Sequence, residues 1–538
     1  MRILLLTHAF NSLTQRLFVE LGDRGHEVTV EFDVNDAVTA EAVDLARPDV
    51  IVAPFLKRAI PEAVWRRRPC LVVHPGPEGD RGPSALDWAI LEGRDQWGVT
   101  VLRAEAEMDA GPVLASRTFS MRGATKSSLY RNEVTEAAVA AVLEALDAPA
   151  GRRPQKSWWK PAMRQADRAI DWSRDDTATV LRKIHSADGN PGLHDDIGGP
   201  VALFDARPCD TLEGRPGALL GVSGGAVARA TIDGAVWIGH LRRLQPFALK
   251  LPAAQVVDVA GLPEVPGFHD IWYDERHGIG YLHFPFHNGA MSAEQCLRLR
   301  QAFAAAALRP TRVIALMGGP DFWSNGIHLG AIEAADSPAD ESWRTIQAMD
   351  DLCAAVIGCT SHFTIAAMHG NAGAGGVFMA LAADLVAARE GVVLNPHYKG
   401  MGNLYGSEYW TYLLPRRCGP ERAAKVADDR LPIGTRRAAE WGLIDAAFGG
   451  NVAEFRAGIE SLAERIAADP ALELRQAEKR LGRLADENAK PLAAYRAEEL
   501  ERMTLNFYGF DPSYHVARYN FIHKVAKART PLYLARHR

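Results

Sequence analysis

The sequence predicts a multidomain α/β protein, and three observations carry that prediction. Strand-like apolar runs alternate with helical stretches near the start of the chain and again beyond residue 268, a block of short strands with glycine turns lies between, and charged helical sequence closes the chain. At 538 residues the chain exceeds one ordinary domain of about 100 to 200 residues.

In the first unit, Ile3–Leu6, Val28–Phe32, Val50–Ala53 and Cys70–Val73 read as strands, with helices at Thr14–Arg24 and Ala37–Ala46. That alternation implies a parallel, helix-covered sheet over residues 1–155. The basic, Pro- and Trp-containing stretch from Gly151 to Pro161 breaks the pattern and reads as a linker. A helix near Thr177–His185 and strands at Val201–Phe204, Ala218–Val222, Val227–Ile232 and Val236–Leu241 predict a small β-barrel over 165–250. Leu251 to Gly267, rich in Pro and Gly, reads as a second linker. A second α/β unit follows over 268–465, with strands Ile279–Phe284, Val313–Met317 and Phe363–Met368 and helices Ala293–Ala307 and Trp343–Gly358. Residues 466–538 form a helical extension, charged on one face and ending in a basic tail.

Hydrophobic content of 47%, 24% charged residues and a net charge of -5 are those of a globular protein and give no whole-chain footprint for nucleic acid or a membrane surface. Six scattered cysteines without a CxxC pair indicate neither a disulfide framework nor a zinc site, so no metal is expected and a reducing cytoplasm fits. The opening apolar run is too short for a signal peptide, and no window has the roughly 18 apolar residues of a membrane span.

Two clusters carry chemistry. His74, before Pro75-Gly76, emerges at a strand's carboxyl end, where α/β sheets place ligands. Alone it is better read as a strand-end histidine bonded to nearby backbone, and Asp109, in Met108-Asp109-Ala110-Gly111, as a simple turn residue. With Arg81-Gly82-Pro83-Ser84-Ala85-Leu86-Asp87-Trp88 and Ala169-Ile170-Asp171-Trp172-Ser173, however, they resemble the N10-formyltetrahydrofolate-dependent formyltransferases over about the first 245 residues. The resemblance implies a Rossmann-like catalytic domain with a small OB-like barrel, His74 and Asp109 handling protons during formyl transfer, and folate along Ala53, Phe55 and Leu56 with Ser84 nearby. One departure is clear: Val72 stands where the family has Asn. Losing such an oxyanion donor costs ~3 kcal/mol in a transition state. A thiol acceptor, being a strong nucleophile as thiolate, would tolerate that loss.

The second cluster pairs Ser324-Asn325-Gly326-Ile327 with Gly370-Asn371-Ala372-Gly373-Ala374-Gly375-Gly376, small residues whose backbone N–H groups can approach an anion. Together they resemble the crotonase (enoyl-CoA hydratase/isomerase) superfamily over about Phe268 to Arg465. The resemblance implies an oxyanion hole from the N–H groups of Ile327 and Gly375 for a coenzyme A thioester, with Gly326 and Gly373 lining the ligand. The hydratase carboxylates are absent at the matching places, where Phe378 and the neighbourhood of His397 stand, which argues against alkene hydration. Tyr398 and Glu408 flank a Gly-rich turn and are close enough to converge on one pocket, with Glu408 as proton acceptor; read alone they are more readily a packed Tyr and a surface Glu.

Both halves in one chain, ending in Phe510-Asp511-Pro512-Ser513-Tyr514-His515, resemble the HypX (HoxX) hydrogenase maturation factors from end to end. That resemblance implies production of the CO ligand of NiFe-hydrogenase from formyltetrahydrofolate through formyl-coenzyme A, with folate and coenzyme A as ligands and other maturation proteins as partners. Arg518, Lys524 and Arg529 are candidates for the coenzyme A phosphates, or simply a solvated basic tail. The alternatives are a formyltransferase for another acceptor with a non-catalytic coenzyme A-binding half, a crotonase for longer acyl thioesters, and a non-catalytic scaffold.

Overall fold

The protein is described by a computed structural model covering residues 1–147 and 151–538. It forms two compact units, Met1–His269 with Lys527–Arg538, and Asp270–Ala526.

Unit one opens with parallel strands Arg2–Thr7, Glu27–Phe32, Val50–Phe55 and Cys70–His74. Their helices start at side-chain caps: Asn11 accepts from Thr14 N–H ahead of Ser12–Asp23, and Asn35 from Val38 N–H ahead of Asp36–Ala46. Leu4, Leu6, Ile51 and Ala53 pack with Val43 and Val64 in a fully apolar core. The sheet is not parallel throughout, as the sequence suggested. Gln96–Arg103 runs antiparallel to Cys70–His74, and Val113–Ser120 antiparallel to it in turn. The connection between these last two strands is too short for the crossover that parallel pairing needs.

The block beyond residue 165 is an antiparallel sheet containing Leu193–Asp196, Pro200–Cys209, Leu219–Ser223, Ala226–Ala230 and Ala235–Arg243, packed on helix Thr177–Ala187 through Val180 and Ile184. The stretch read as a second linker belongs to this sheet. Leu251 pairs with Leu241, and Val222 exchanges backbone hydrogen bonds with Pro263 and Val265. Proline at a sheet edge leaves no ladder donor missing.

Unit two has a sheet in the order Trp272–Arg276, Ile279–His283, Val313–Gly318, Phe363–Met368, Leu385–Arg389, Ala446–Phe448, parallel except for the first strand. A smaller sheet joins Phe322–Ser324, Asn371–Gly373, Val393–Asn395 and Ile433–Gly434. Helix Ala293–Ala306 begins with a Ser292/Gln295 capping box, and Pro338–Ile357 with Ser337 as cap and Pro in the first turn. Both supply Cys296, Leu299, Phe303, Ile346, Met349 and Cys353 to the core. Helices Val452–Ala468, Leu472–Ala489, Leu492–Tyr508 and Ser513–Ile522 follow. No helix of the described residues is long and apolar enough to cross a membrane.

The basic tail is not simply solvated. Glu31, fully buried on its strand, accepts hydrogen bonds from Thr530 Oγ1, His537 Nε2 at 3.0 Å and Arg538 Nε at 2.9 Å, while Val30 N–H donates to Leu534 O. Removing one member of such a buried set leaves the others unpaired. Glu31→Ala should therefore lower the stability of unit one by about 3 kcal/mol and speed amide exchange at Val30 and Phe32. Unchanged exchange at those amides would show that the tail is held by packing alone.

Candidate functional site

In unit two, parallel pairing of Phe322 with Asn371 and Ser324 with Ala372 brings the two glycine-containing loops side by side, and Trp323 Nε1 donates to Gly376 O at 2.8 Å. Gly326, at φ 76°, turns the first loop so closely against the second that an added Cβ would lie 3.3 Å from Gly375 N. Ala374 takes a positive φ of 46° immediately before helix Gly375–Leu381. Such a backbone is costly for a residue with a Cβ and persists only where its surroundings fix it. Neither Ile327 N–H nor Gly375 N–H donates a hydrogen bond to another described residue. Gly373 ends the strand leading into this turn.

Tyr398 and Glu408 converge there. Tyr398 OH donates to Glu408 Oε2, which also accepts from Ser407 N–H at 3.2 Å. An added Cβ at Gly375 would lie 2.3 Å from Glu408 Oε1, so the carboxyl sits directly over that glycine. Glu408 is 1% exposed. Burial first, and then the neighbouring Asp350, push its carboxyl well above the usual carboxylate range. Burial likewise raises Asp350, and raises Glu499 to about 7. Tyr398 is held as the neutral phenol by burial and by Glu408 beside it. Its ring stacks on Phe378 at 5.5 Å. His397 has no hydrogen-bond partner for either ring nitrogen among the described residues, and burial lowers it to about 4.

In unit one, His74 lies at the end of its strand between two carboxylates. Its Nε2 is 2.9 Å from Asp80 Oδ2 and its Nδ1 3.6 Å from Asp109 Oδ2. Asp80 is pinned by Trp158 Nε1 at 2.9 Å. Asp109, at φ 53°, accepts from Gly82 N–H at 3.2 Å. Val72 pairs with Ala53 and Leu102 in the sheet and offers no side-chain donor. Ala53 is buried in its strand; Phe55 and Leu56 are half-buried beyond it, with Phe55 edge-on to His8 and Tyr130. The Phe55 carbonyl already accepts from His8 N–H and Thr7 Oγ1. Ser84 precedes helix Ala85–Leu91, and its Oγ accepts from Met163 N–H at 3.1 Å.

Arg518 does not join either group. Its guanidinium is buried, with Nε donating to Glu333 at 2.7 Å and another nitrogen 2.6 Å from His515 Nδ1. Lys524 and Arg529 are exposed. Sequence reasoning missed Asp80, Asp350 and Glu499. The last two carry a signal: each is a lone acid at core spacing on its helix, Asp350 among Ile346, Met349 and Cys353, and Glu499 four residues before Met503.

Comparisons with known proteins follow these divisions. The formyl transferase family model matches residues 26–146, the formyl transferase C-terminal domain 162–250 and the enoyl-CoA hydratase/isomerase family 276–507. The hydrogenase maturation factor HoxX of Bradyrhizobium diazoefficiens is 57% identical over all of this chain and 97% of its own length. The crystal structure of HypX from Aquifex aeolicus in complex with tetrahydrofolic acid superposes with a TM-score of 0.98 at 49% identity, covering 100% of this chain and 99% of that one. A methionyl-tRNA formyltransferase of Granulibacter bethesdensis is 27% identical over 36% of this chain and 66% of its own.

The electrostatics at Glu408 can be read from stability. Its folded-state proton affinity exceeds that of an unfolded carboxyl, so the fold favours the neutral form. Relative to Glu408→Gln, wild type keeps this contribution below the unfolded value near ~4.3 and loses it as pH rises toward the folded value. Thermal melts from pH 4 to 9 should show the variant gaining on wild type with pH, by on the order of 3 kcal/mol in total. A pH-independent difference would mean that folding leaves the proton affinity of Glu408 unchanged.

Proposed function

Because the chain belongs to the HypX (HoxX) family of hydrogenase maturation factors, we propose that it makes the CO ligand of a NiFe-hydrogenase in two steps: formyl transfer from N10-formyltetrahydrofolate to coenzyme A, then decarbonylation of formyl-coenzyme A. Folate binding rests on the formyl transferase match and on the tetrahydrofolic acid bound by the Aquifex relative.

In the first step, Asp80 accepts a hydrogen bond from His74 Nε2–H, leaving the Nδ1 lone pair on the side of Asp109. That nitrogen receives the proton of the coenzyme A thiol as sulfur attacks the formyl carbon, and the proton passes to N10 as the C–N bond breaks. The thiol compensates for the donor missing at Val72. In the second step the thioester carbonyl binds the N–H groups of Ile327 and Gly375. Ionised Glu408 takes the formyl proton, the C–S bond breaks, and CO leaves. The proton held by Glu408 returns to the thiolate, so the products are CO and coenzyme A with no net proton change. Tyr398 orients the carboxyl throughout.

The observation that carries this reading is the buried Tyr398–Glu408 pair over Gly375, with Phe378 in place of a hydratase acid. The test is incubation of the purified protein with coenzyme A and formyltetrahydrofolate labelled at the formyl carbon, with headspace analysis for labelled CO. Wild type should release it. Glu408→Gln should lower release at least 100-fold while formyl-coenzyme A accumulates, and His74→Ala should form neither product. Labelled formate or another formyl ester without CO would instead favour a formyltransferase whose second half only binds coenzyme A.

A further inference from the structure

Glu408 and Tyr409 are consecutive non-glycine residues in the left-handed region, at φ 60° and 59°. Such a pair needs external restraint, and two carboxyl groups from different helices provide it. Asp350, on Pro338–Ile357, accepts Glu408 N–H at 2.8 Å and lies 2.8 and 2.9 Å from Ser407 Oγ through its two oxygens. Glu499, on Leu492–Tyr508, accepts Tyr409 N–H at 3.0 Å, Thr411 N–H at 2.9 Å and Thr411 Oγ1 at 2.5 Å. Ser407 Oγ is 3.3 Å from Glu499 Oε2. Asp350, Ser407 and Glu499 are completely buried.

We infer that Asp350 and Glu499 are positioning residues for the proposed decarbonylation: they clamp the 407–411 segment, left-handed at Glu408 and Tyr409 and entering helix Trp410–Cys418, by its N–H groups and so aim the Glu408 carboxyl at Tyr398 and over Gly375. Ordinary core packing would not require acids here, because apolar side chains would fill the space without being removed from water as charges. The acids are explained by the donors they meet. Ser407 adds a constraint. Its one hydroxyl proton cannot serve both carboxyls, so the arrangement is fully satisfied when one of them carries a proton and donates it to Ser407 Oγ. The clamp then brings one negative charge close to Glu408 rather than two.

The groups facing Glu408 are Tyr398, Ser407, Asp350 and Cys353, Glu499, and Cys296 from helix Ala293–Ala306. Arg496 Nε is 3.6 Å from Asp350 Oδ2, the one cationic contact to the clamp among the described residues. Neutralising Asp350 removes a like charge, so Glu408 should release its proton more readily.

This inference rests on the proposed role of Glu408, and the test separates the two. Synthetic formyl-coenzyme A is supplied directly, and CO release is followed against pH for wild type, Asp350→Asn, Glu499→Gln and Asp350→Ala, with crystal structures of the variants. Asp350→Ala should release Glu408 from its left-handed backbone and from Tyr398, lowering kcat roughly 10- to 100-fold with KM unchanged. The isosteric Asp350→Asn should keep the turn and move the rise of rate with pH to lower pH. Glu499→Gln keeps one acceptor oxygen, enough for Tyr409 N–H or Thr411 N–H but not both, so it should loosen the turn at one end with a smaller loss of kcat, and it provides the second measurement if Asp350→Ala fails to fold. A Glu408 carboxyl still on Tyr398 in Asp350→Ala, or a kcat and pH profile unchanged in Asp350→Asn and Glu499→Gln, overturns the clamp. If wild type releases no CO from formyl-coenzyme A, the proposed reaction fails, and the variant structures still decide whether the clamp exists.

Discussion

A carboxyl group taken wholly out of water must either find hydrogen-bond donors or give up its charge, and the site in unit two is organised around that requirement at Glu408. The fold meets it by both routes. Tyr398 OH and Ser407 N–H supply donors, while burial and the nearby Asp350 keep the proton affinity high. Each donor depends on other structure. Tyr398 is held by stacking on Phe378, and Ser407 by a turn tied to Asp350 and Glu499. The glycine at 375 belongs to the same arrangement, because any side chain there would collide with the carboxyl.

The site in unit one solves a different problem. His74 stands between Asp80 and Asp109, and Trp158 fixes Asp80 from behind. Here Asp80 acts as the acceptor that orients the ring, through His74 Nε2. A histidine with one nitrogen committed to a buried acid has its tautomer set, and its other nitrogen becomes a directed base. The proposed formyl transfer uses this geometry to move a proton between the attacking thiol and the leaving nitrogen. Gly76 is required by it as well, since an added Cβ would lie 2.3 Å from Asp80 Oδ2 and 2.5 Å from His74 Nε2.

Much of this was legible in the sequence because it is local. Apolar runs gave four strands of the first main sheet and three of the second, and the loops carrying Gly326 and Gly375 announced themselves by glycine where backbones must touch. The pairing of Tyr398 with Glu408 could be suspected from ten residues of separation across a glycine-rich turn. What stayed hidden depends on distant chain. Asp350 and Glu499 meet the 407–411 turn from 57 and 88 or more residues away, and His537 and Arg538 reach Glu31 across 506 and 507. Such contacts leave only an acid at core spacing, or nothing, in the local pattern. The antiparallel edge of the first sheet was missed because strand runs carry no direction, and the Pro-rich stretch from 251 was misread because proline disfavours a central strand more than an edge.

The raised proton affinity of Glu408 also bears on why a carboxyl, and this one, should serve the proposed decarbonylation. The group must accept a proton from carbon and then return it to a thiolate. An ordinary carboxylate, near ~4.3, would protonate a thiolate readily because a thiol lies near ~8.5, but for the same reason it would be a weak base toward carbon. Raising the carboxyl toward the thiol value strengthens the first transfer and leaves the second close to balanced, the condition under which general acid–base catalysis loses least at either stage. Burial alone would raise the group but leave it without direction. The phenol of Tyr398 supplies direction and, by donating to the charged form, limits how far the affinity climbs. The balance between a carboxyl desolvated enough to act as a base and one still able to ionise is therefore set by Tyr398 on one side and Asp350 on the other.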